Sequence, residues 1–527
     1  MSISTFAKKR SVRVGATVVV IVLLAAAIVT VGHARRSGLV VHEIAEEGAV
    51  VRSSELQRIS ISAANPDDLS SVRVSVDGAA VSTHRDGDRL TTDPLDLAEG
   101  MHSLAVRMPN PLPLLPATGI DRVFTVDNTA PTLSVDPVDA KSLEGPITVA
   151  GKALGAESVL VGDQRVPIGD GDAFSVSLPS VPDQIRVEAK DAAGNTELRD
   201  LPVHARHPGM RGVHMSALAW ASESLREPVL RLAREHKIDT VQLDIKDESG
   251  EIGYDSQVPL AKKIGASKNY YDVRAVLDQL HAAGLRVVGR LVAFRDPVLA
   301  ESAWKAGSKD LVVQDESGQP WSGGYGGHAF TNFANPEVRA YNIELAIEAS
   351  TLGFDDILYD YVRRPDGPIS RMRFPGLKTS PEQSITEFLR DSRKAVRPRG
   401  AFVGASVFGV AARAGSDIAQ DIPSIAAQVD YVAPMVYPSH WGPGEYGVAD
   451  PEGQPREIVR NSVADFVGIT KDSGAAVIPW LQAFSLAKSY GAAEVQAQVS
   501  GAAEAGAQSF LLWNAACDYG SAGLQAK

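Results

Sequence analysis

Cysteine is nearly absent from this chain of 527 residues: Cys517 stands alone, so no intramolecular disulfide can staple any part of it. Positive charge is not in excess either. The formal net charge is −12, and a nucleic-acid partner is excluded on that ground, because phosphate binding needs a basic surface. No glycine-rich phosphate loop follows the first strand of the C-terminal half, which argues against a nucleotide site. No cofactor and no metal-ligand pattern is read. Long hydrophobic runs are missing apart from one. Val14–Val31 is uncharged, follows Lys8, Lys9, Arg10 and Arg13, and is long enough to span a bilayer, which takes roughly 17 to 25 residues. The run predicts a single-pass transmembrane anchor over 1–36, with the bulk of the chain extracytoplasmic and the membrane as a partner. A cleaved signal peptide is the competing reading, with Gly32-His33-Ala34 as a poor cleavage site; the length of the run favours the anchor.

What is present is ordinary globular material, 22% charged and 44% hydrophobic, enough for two to four domains. Between residues 40 and 205 apolar and polar residues alternate with a period of two, as in Ser71–Val76 before the turn Asp77-Gly78 and in Phe174–Leu178. Two immunoglobulin-like β-sandwiches are expected, over 40–128 and 129–204. The segment Lys190–Thr196 is similar to the closing turn of bacterial immunoglobulin-like domains.

From Gly212 the rhythm changes. Strand-like runs at Gly212–Ala217, Thr240–Asp247, Arg286–Phe294, Asp356–Tyr361, Phe402–Phe408, Tyr431–Tyr437, Val477–Phe484 and Ser509–Asn514 alternate with amphipathic helices. Two helix starts are signalled by a cap residue and a proline, Asn335-Pro336 and Ser380-Pro381. Eight such units over 208–527 predict a C-terminal (β/α)8 TIM barrel; a doubly wound sheet is the alternative.

Catalytic groups of such barrels sit at the C-terminal ends of the strands. The fourth run, Ile357-Leu-Tyr-Asp360, ends in an acid, and Asp360 is the foremost catalytic candidate; its plain alternative is a loop carboxylate salt-bridged to Arg363 or Arg364. The second run offers Asp244, Lys246 and Asp247, with Asp244 and Lys246 on one face by alternation. Other strand ends offer Arg290, Tyr437, His440, Trp441, Trp480, Gln482, Trp513 and Asn514. Aromatic rings beside carboxylates and amides suit a carbohydrate, whose C–H faces stack on rings while its hydroxyls bond fixed polar groups. Singly, each of these residues has a structural explanation, as an ion pair, a loop donor or core.

From Gly212 onward the chain resembles the putative glycosyl hydrolase domain family, DUF4015. The motifs are Val241–Gly250, Arg290–Pro297, Leu352–Arg363, Tyr431–Trp441, Pro479–Gln482 and Leu512–Asn514. The resemblance implies a TIM barrel related to glycoside hydrolases acting on a polysaccharide or oligosaccharide. Two positions depart from the family's pattern: Ser406 and Ala483 stand where an Asp is expected on the fifth and seventh strands. Glycoside hydrolysis usually takes two carboxyls. Asp360 is expected as nucleophile or base, oriented and kept ionised by Arg290 and Lys246, with the acid drawn from Asp244, Asp247 or Glu445, Asp244 first. Tyr437, His440, Trp441, Trp480, Gln482, Trp513, Asn514 and Arg363 are expected to bind sugar. The rival expectation is a non-catalytic carbohydrate-binding or envelope-organising protein that keeps the cleft without a full acid pair.

Overall fold

The computed structural model of the chain describes residues 38–109, 117–140, 142–143, 145–520 and 523–526. They form two compact units. One holds the described residues to Asp136 together with Val149–Val176 and Arg186–Asp200; the other holds Pro137–Thr148, Ser177–Ile185 and Leu201–Lys527.

The first unit is built of strands. Ala49–Val51, Thr118–Val126, Gly100–Met108, Arg73–Val76 and Ala79–Val81 make a five-stranded sheet, and Val40–Val41, Ser60–Ser62, Arg89–Thr92 and Thr83–Asp86 a four-stranded one. Their inward residues, among them Ile61, Val74, Leu104, Val106 and Phe124, share one buried core. Asp77 and Gly78 both take positive φ and turn Arg73–Val76 into Ala79–Val81, the geometry a two-residue hairpin needs.

One expectation is corrected. No helix among the described residues is long and apolar enough to cross a membrane. Crossing takes about 20 consecutive apolar residues, and the long helix Pro336–Leu352, 17 residues, carries Glu337, Arg339, Glu344 and Glu348. The transmembrane helix in the expected fold, the single-pass extracytoplasmic placement and the membrane as partner are therefore not carried forward. The run Val14–Val31 lies outside the described residues.

The second unit carries a closed parallel barrel. Its strands are β1 (Arg211–Met215), β2 (Thr240–Lys246), β3 (Arg286–Val292), β4 (Asp356–Asp360), β5 (Phe402–Phe408), β6 (Tyr431–Met435), β7 (Ala476–Val477 and Trp480–Gln482) and β8 (Phe510–Trp513). Each pairs with its sequence neighbours, and β8 closes onto β1. All eight expected strands are found within a few residues of their expected bounds. Helices Pro336–Leu352 and Pro381–Val396 begin at the capped positions read from sequence: Asn335 accepts from the Glu337 and Val338 amides and Ser380 from Gln383.

The strands divide their side chains between two cores. Val241, Leu243, Val287, Leu291, Ile357 and Tyr359 face the helices in one large core, while Val288, Leu358, Tyr431, Ile478, Trp480 and Leu511 fill the barrel interior. Gly404 makes room for this: a Cβ there would meet the ring of Tyr431, its partner across the β5–β6 ladder, at 2.3 Å. Among the described residues no helix follows β8. Cys517, Tyr519 and Leu524, all buried, cover that side instead.

Candidate active site

Interior alternation brings one residue from each of several strands to the C-terminal mouth, and Arg290 of β3 is their centre. It is buried, 1% exposed. Its Nε and Nη2 both reach Asp360 Oδ2, at 3.0 and 2.7 Å, and its Nη1 reaches Asp244 Oδ1 at 3.1 Å. Nη2 also donates to Glu248. Register explains the first pairs: Asp244 stands opposite Arg290 in the β2–β3 ladder, and Asp360 is two residues beyond Leu358, the partner of Arg290 on β4. The guanidinium carbon lies 5.0 Å from the Trp513 ring centre.

Asp360 Oδ1 accepts from the backbone N–H of Tyr361 at 2.7 Å. Tyr361 has φ of 51°, a costly left-handed conformation for a non-glycine; strain of this kind gathers at functional sites. Burial pushes the Asp360 carboxyl above its ordinary value; Arg290 pulls it back without cancelling the shift, and the charge of Glu248 adds to it. The expected lowering of the Asp360 pKa by Arg290 and Lys246 is not met, because burial outweighs Arg290, the one of the two cations that reaches it. Glu248 shifts the other way: burial opposes its ionisation, but the Arg290 charge prevails. Asp244 is also held low against burial, by Arg290 and by His214, whose Nε2 is 3.2 Å away. His214 is raised in turn by Asp244 despite its own burial, and it stacks on Trp513 at 4.0 Å.

A cleft of about 460 Å³ opens over this cluster. Asp360, Glu248 and Arg290 line it together with the rings of Trp513, Tyr437, His440, Trp441, Tyr361, Tyr325 and Phe408. Burial keeps the Tyr437 hydroxyl protonated and lowers the His440 imidazole toward its neutral form. Charged groups at the base and rings on the walls make the cleft able to stack a pyranose face and move a proton at its edge.

Seven residues expected here serve elsewhere. Lys246 is fully buried, bonded to Asp296 at 2.6 Å and to Asn342 at 3.0 Å. The β2–β3 register shifts between Asp244 and Lys246, so Lys246 pairs with Leu291, which faces the helices. A bulge of this kind breaks the alternation that would have put both on one face. Asp247 caps its own turn, accepting from the Ser249 and Glu251 amides at 2.9 and 3.1 Å. Glu445 stands in an exposed turn away from the cleft lining. Trp480 is interior core, its Nε1 bonded to Ser406 at 3.0 Å. Gln482 holds backbone groups of Ser439 and Phe484, and Asn514 those of Ala483, Asp518 and Ala516. Arg363 lies beneath the aromatic wall, 4.5 Å from the Phe408 ring centre. Asp244 is within the cluster but not on the cleft surface.

Glu248 and Tyr325 were missed. Glu248 follows the capping Asp247 in Asp247-Glu-Ser-Gly250, and the same four residues recur at Asp315–Gly318 with the same turn, Asp315 accepting from Ser317 and Gln319. In an Asx turn the aspartate is consumed by its own backbone, which frees the following glutamate; that signal was available. Gly250 lets the turn seat itself, since a Cβ there would meet Asp296 Oδ1 at 2.4 Å.

Fold and site together define a glycosyl hydrolase-like barrel. The sequence matches the putative glycosyl hydrolase domain family, DUF4015, over residues 212–519, and the chain belongs to that family. Among solved structures it is similar to a hypothetical protein of Ruminiclostridium thermocellum, 33% identical, covering 37% of this chain and 96% of that one, with a TM-score of 0.33. It is similar also to the glycoside hydrolase domain of PgaB (BpsB) from Bordetella bronchiseptica, 17% identical over 59% of this chain and 95% of that one, TM-score 0.45. The spore cortex-lytic enzyme SleL of Bacillus megaterium is 12% identical over 63% of this chain and 76% of that one, TM-score 0.37. No curated protein matches the chain.

Proposed function

We propose that the barrel hydrolyses a glycosidic bond in a polysaccharide or oligosaccharide, with Asp360 and Glu248 as its carboxyl pair. One observation carries the reading: both carboxylates bond the same Arg290 nitrogen at the base of an aromatic-walled cleft, and their proton affinities are driven apart. Glycoside hydrolysis needs one carboxyl protonated and its partner ionised, and such divergence assigns the roles. Asp360 is the proton donor to the leaving oxygen. Glu248 is the ionised partner.

Asp360 Oδ2 is 2.7 Å from the shared nitrogen, and a hydrogen bond to Glu248 adds at most about 3.2 Å, so the nearest oxygens are within about 6 Å. That falls short of the roughly 6.5–9.5 Å of inverting enzymes and near the roughly 5–5.5 Å of retaining ones. Glu248 is therefore the nucleophile, and the product keeps its anomeric configuration. Trp513, Tyr437 and Trp441 stack sugar rings; Tyr437 and His440 bond hydroxyls.

The test is reducing-end release from a polysaccharide panel, then kinetics of Asp360→Asn and Glu248→Gln on aryl glycosides of the sugar released. With a leaving group that needs no proton, Asp360→Asn keeps most of its rate while Glu248→Gln stays inactive. Equal activity of both variants and the wild type on the natural polymer would sink the assignment. A binding-only reading has one observation in its favour: β5 and β7 supply no carboxyl, Ser406 being bonded to Trp480 and Ala483 having no functional group. It prevails if no polymer of the panel is cut and Asp360→Asn changes affinity alone.

A further inference from the structure

Two buried groups beside the carboxyl pair, His214 and Asp244, lie outside the cleft lining and take no direct part in hydrolysis. The His214 ring is fixed on three sides. Its Nε2 is 3.2 Å from Asp244 Oδ2. Its Nδ1 is 3.7 Å from Cys517 Sγ, a sulfur that also accepts from the Ser216 amide at 3.3 Å. Its face stacks on Trp513, with ring centres 4.0 Å apart and planes 24° from parallel. Asp244 uses its other oxygen, Oδ1, to accept from Arg290 Nη1 at 3.1 Å and Gln242 Nε2 at 3.0 Å. His214, Asp244 and Arg290 thus form a continuous chain of charge that ends at Glu248 and Asp360.

Arg290 bonds three carboxyls with one positive charge, and buried acids left uncompensated are costly. His214 is the second cation available to the cluster. It bonds Asp244, the one carboxyl of the three that does not line the cleft. The Asp244 charge opposes the ionisation of Glu248, so a positive ring on its far oxygen weakens that opposition and leaves Arg290 to Glu248 and Asp360. The other titratable groups about the ring are Cys517 and Tyr519 of the C-terminal tail, and burial keeps the Tyr519 hydroxyl protonated. Burial opposes the charge on His214, but Asp244 outweighs it and lifts the ring to about 9.

We propose that His214 is a positioning residue for the carboxyl pair: as an imidazolium it neutralises Asp244, so that Arg290 holds Glu248 ionised as the nucleophile, and its face backs the Trp513 ring on which sugar stacks. The proposal rests on the hydrolytic reading of the cleft and adds to it a residue that touches neither the sugar nor the reacting atoms.

The titration of the His214 ring tests the charge chain without requiring turnover. It is followed by NMR on protein carrying isotope-labelled histidine, the signal being assigned by its loss in His214→Gln. In the wild type the ring should be cationic at neutral pH and titrate at about 9. Glu248→Gln should lower that midpoint by about one unit, the size of effect a neighbouring unit charge has in a buried site, because coupling between two sites is reciprocal. The pH profile of kcat/KM on an aryl glycoside then tests the effect on the pair. His214→Gln keeps a donor to Asp244 and removes the charge, so its acid limb should move up by about one pH unit. A merely structural His214 would lower the rate and leave the limb where it was. Tryptophan-detected melting shows that the variants are folded. A ring already neutral at pH 7.5, with the Cys517 thiol donating to Nδ1, overturns the proposal. So does an unchanged midpoint in Glu248→Gln, or an unmoved acid limb in folded His214→Gln. Coupled titration in a protein that cuts no glycan would remove the hydrolase reading and leave His214 as the counter-charge of the cluster; cleavage with uncoupled titration would remove the role of His214 alone.

Discussion

Replacing Arg290 by glutamine tests the electrostatic account of the site directly. The residue is 1% exposed and bonds three carboxylates, two of them nearly as buried. Removing one partner of a buried ion pair costs about 3–5 kcal/mol, because the other charge is left without compensation. For a domain of this size that is a fall of roughly 10 °C in melting temperature. The effect depends on pH. Asp244 and Glu248 have folded-state pKa values below their ordinary ones, so their contribution is complete at neutral pH and is lost only as pH falls below the ordinary carboxylate range and through those lowered values. Without Arg290 burial alone acts on them and raises both, as it already raises Asp360. Carboxyls so shifted favour the folded state in acid. The deficit of the variant should therefore be largest near pH 7.5 and clearly smaller at pH 5. All six tryptophans lie between Trp220 and Trp513, so intrinsic fluorescence follows this region specifically. An Arg290→Gln protein melting within about 2 °C of wild type at pH 7.5, where ~3 kcal/mol is expected, would refute the reasoning. So would a deficit that grows on acidification.

Hydrolysis should follow a bell-shaped pH profile: the alkaline limb appears as Asp360 loses its proton at a raised pKa, and the acid limb as Glu248 gains one. Asp360→Asn should remove the alkaline limb from its rate on aryl glycosides whose leaving group needs no proton, and an unchanged limb would reassign the group. Lys246→Met strands the buried Asp296 carboxylate and should cost about 3–5 kcal/mol by thermal unfolding, with glycan retardation in gels unchanged; reduced affinity at full stability would return Lys246 to the site. Gly404→Ala drives a methyl into the Tyr431 ring and should destabilise by about 1–3 kcal/mol, read as a lower melting temperature; equal melting would mean the interior is looser than described.

The barrel was legible because its signal is local and repeated. A buried parallel strand must be apolar throughout, a helix must show its stripe, and Asn335-Pro336 and Ser380-Pro381 announce helix starts by hydrogen-bonding chemistry complete within a few residues. The convergence of Arg290, Asp360 and Asp244 followed from the same periodicity, since strand ends of a closed barrel meet at one rim. The membrane placement was read from hydropathy alone, and no described helix carries it. What tertiary structure decided were matters of one residue's offset and of partner choice. A bulge after Asp244 turned Lys246 to the helices. A turn consumed Asp247 and delivered Glu248. Trp480, Gln482 and Asn514, alike in sequence to their site neighbours, went to core and backbone bonds. The proton preference of Asp360 was decided last of all: it depends on how deeply the carboxyl is buried and on how many acids share one arginine. Both quantities are sums over groups that the chain brings together only by folding.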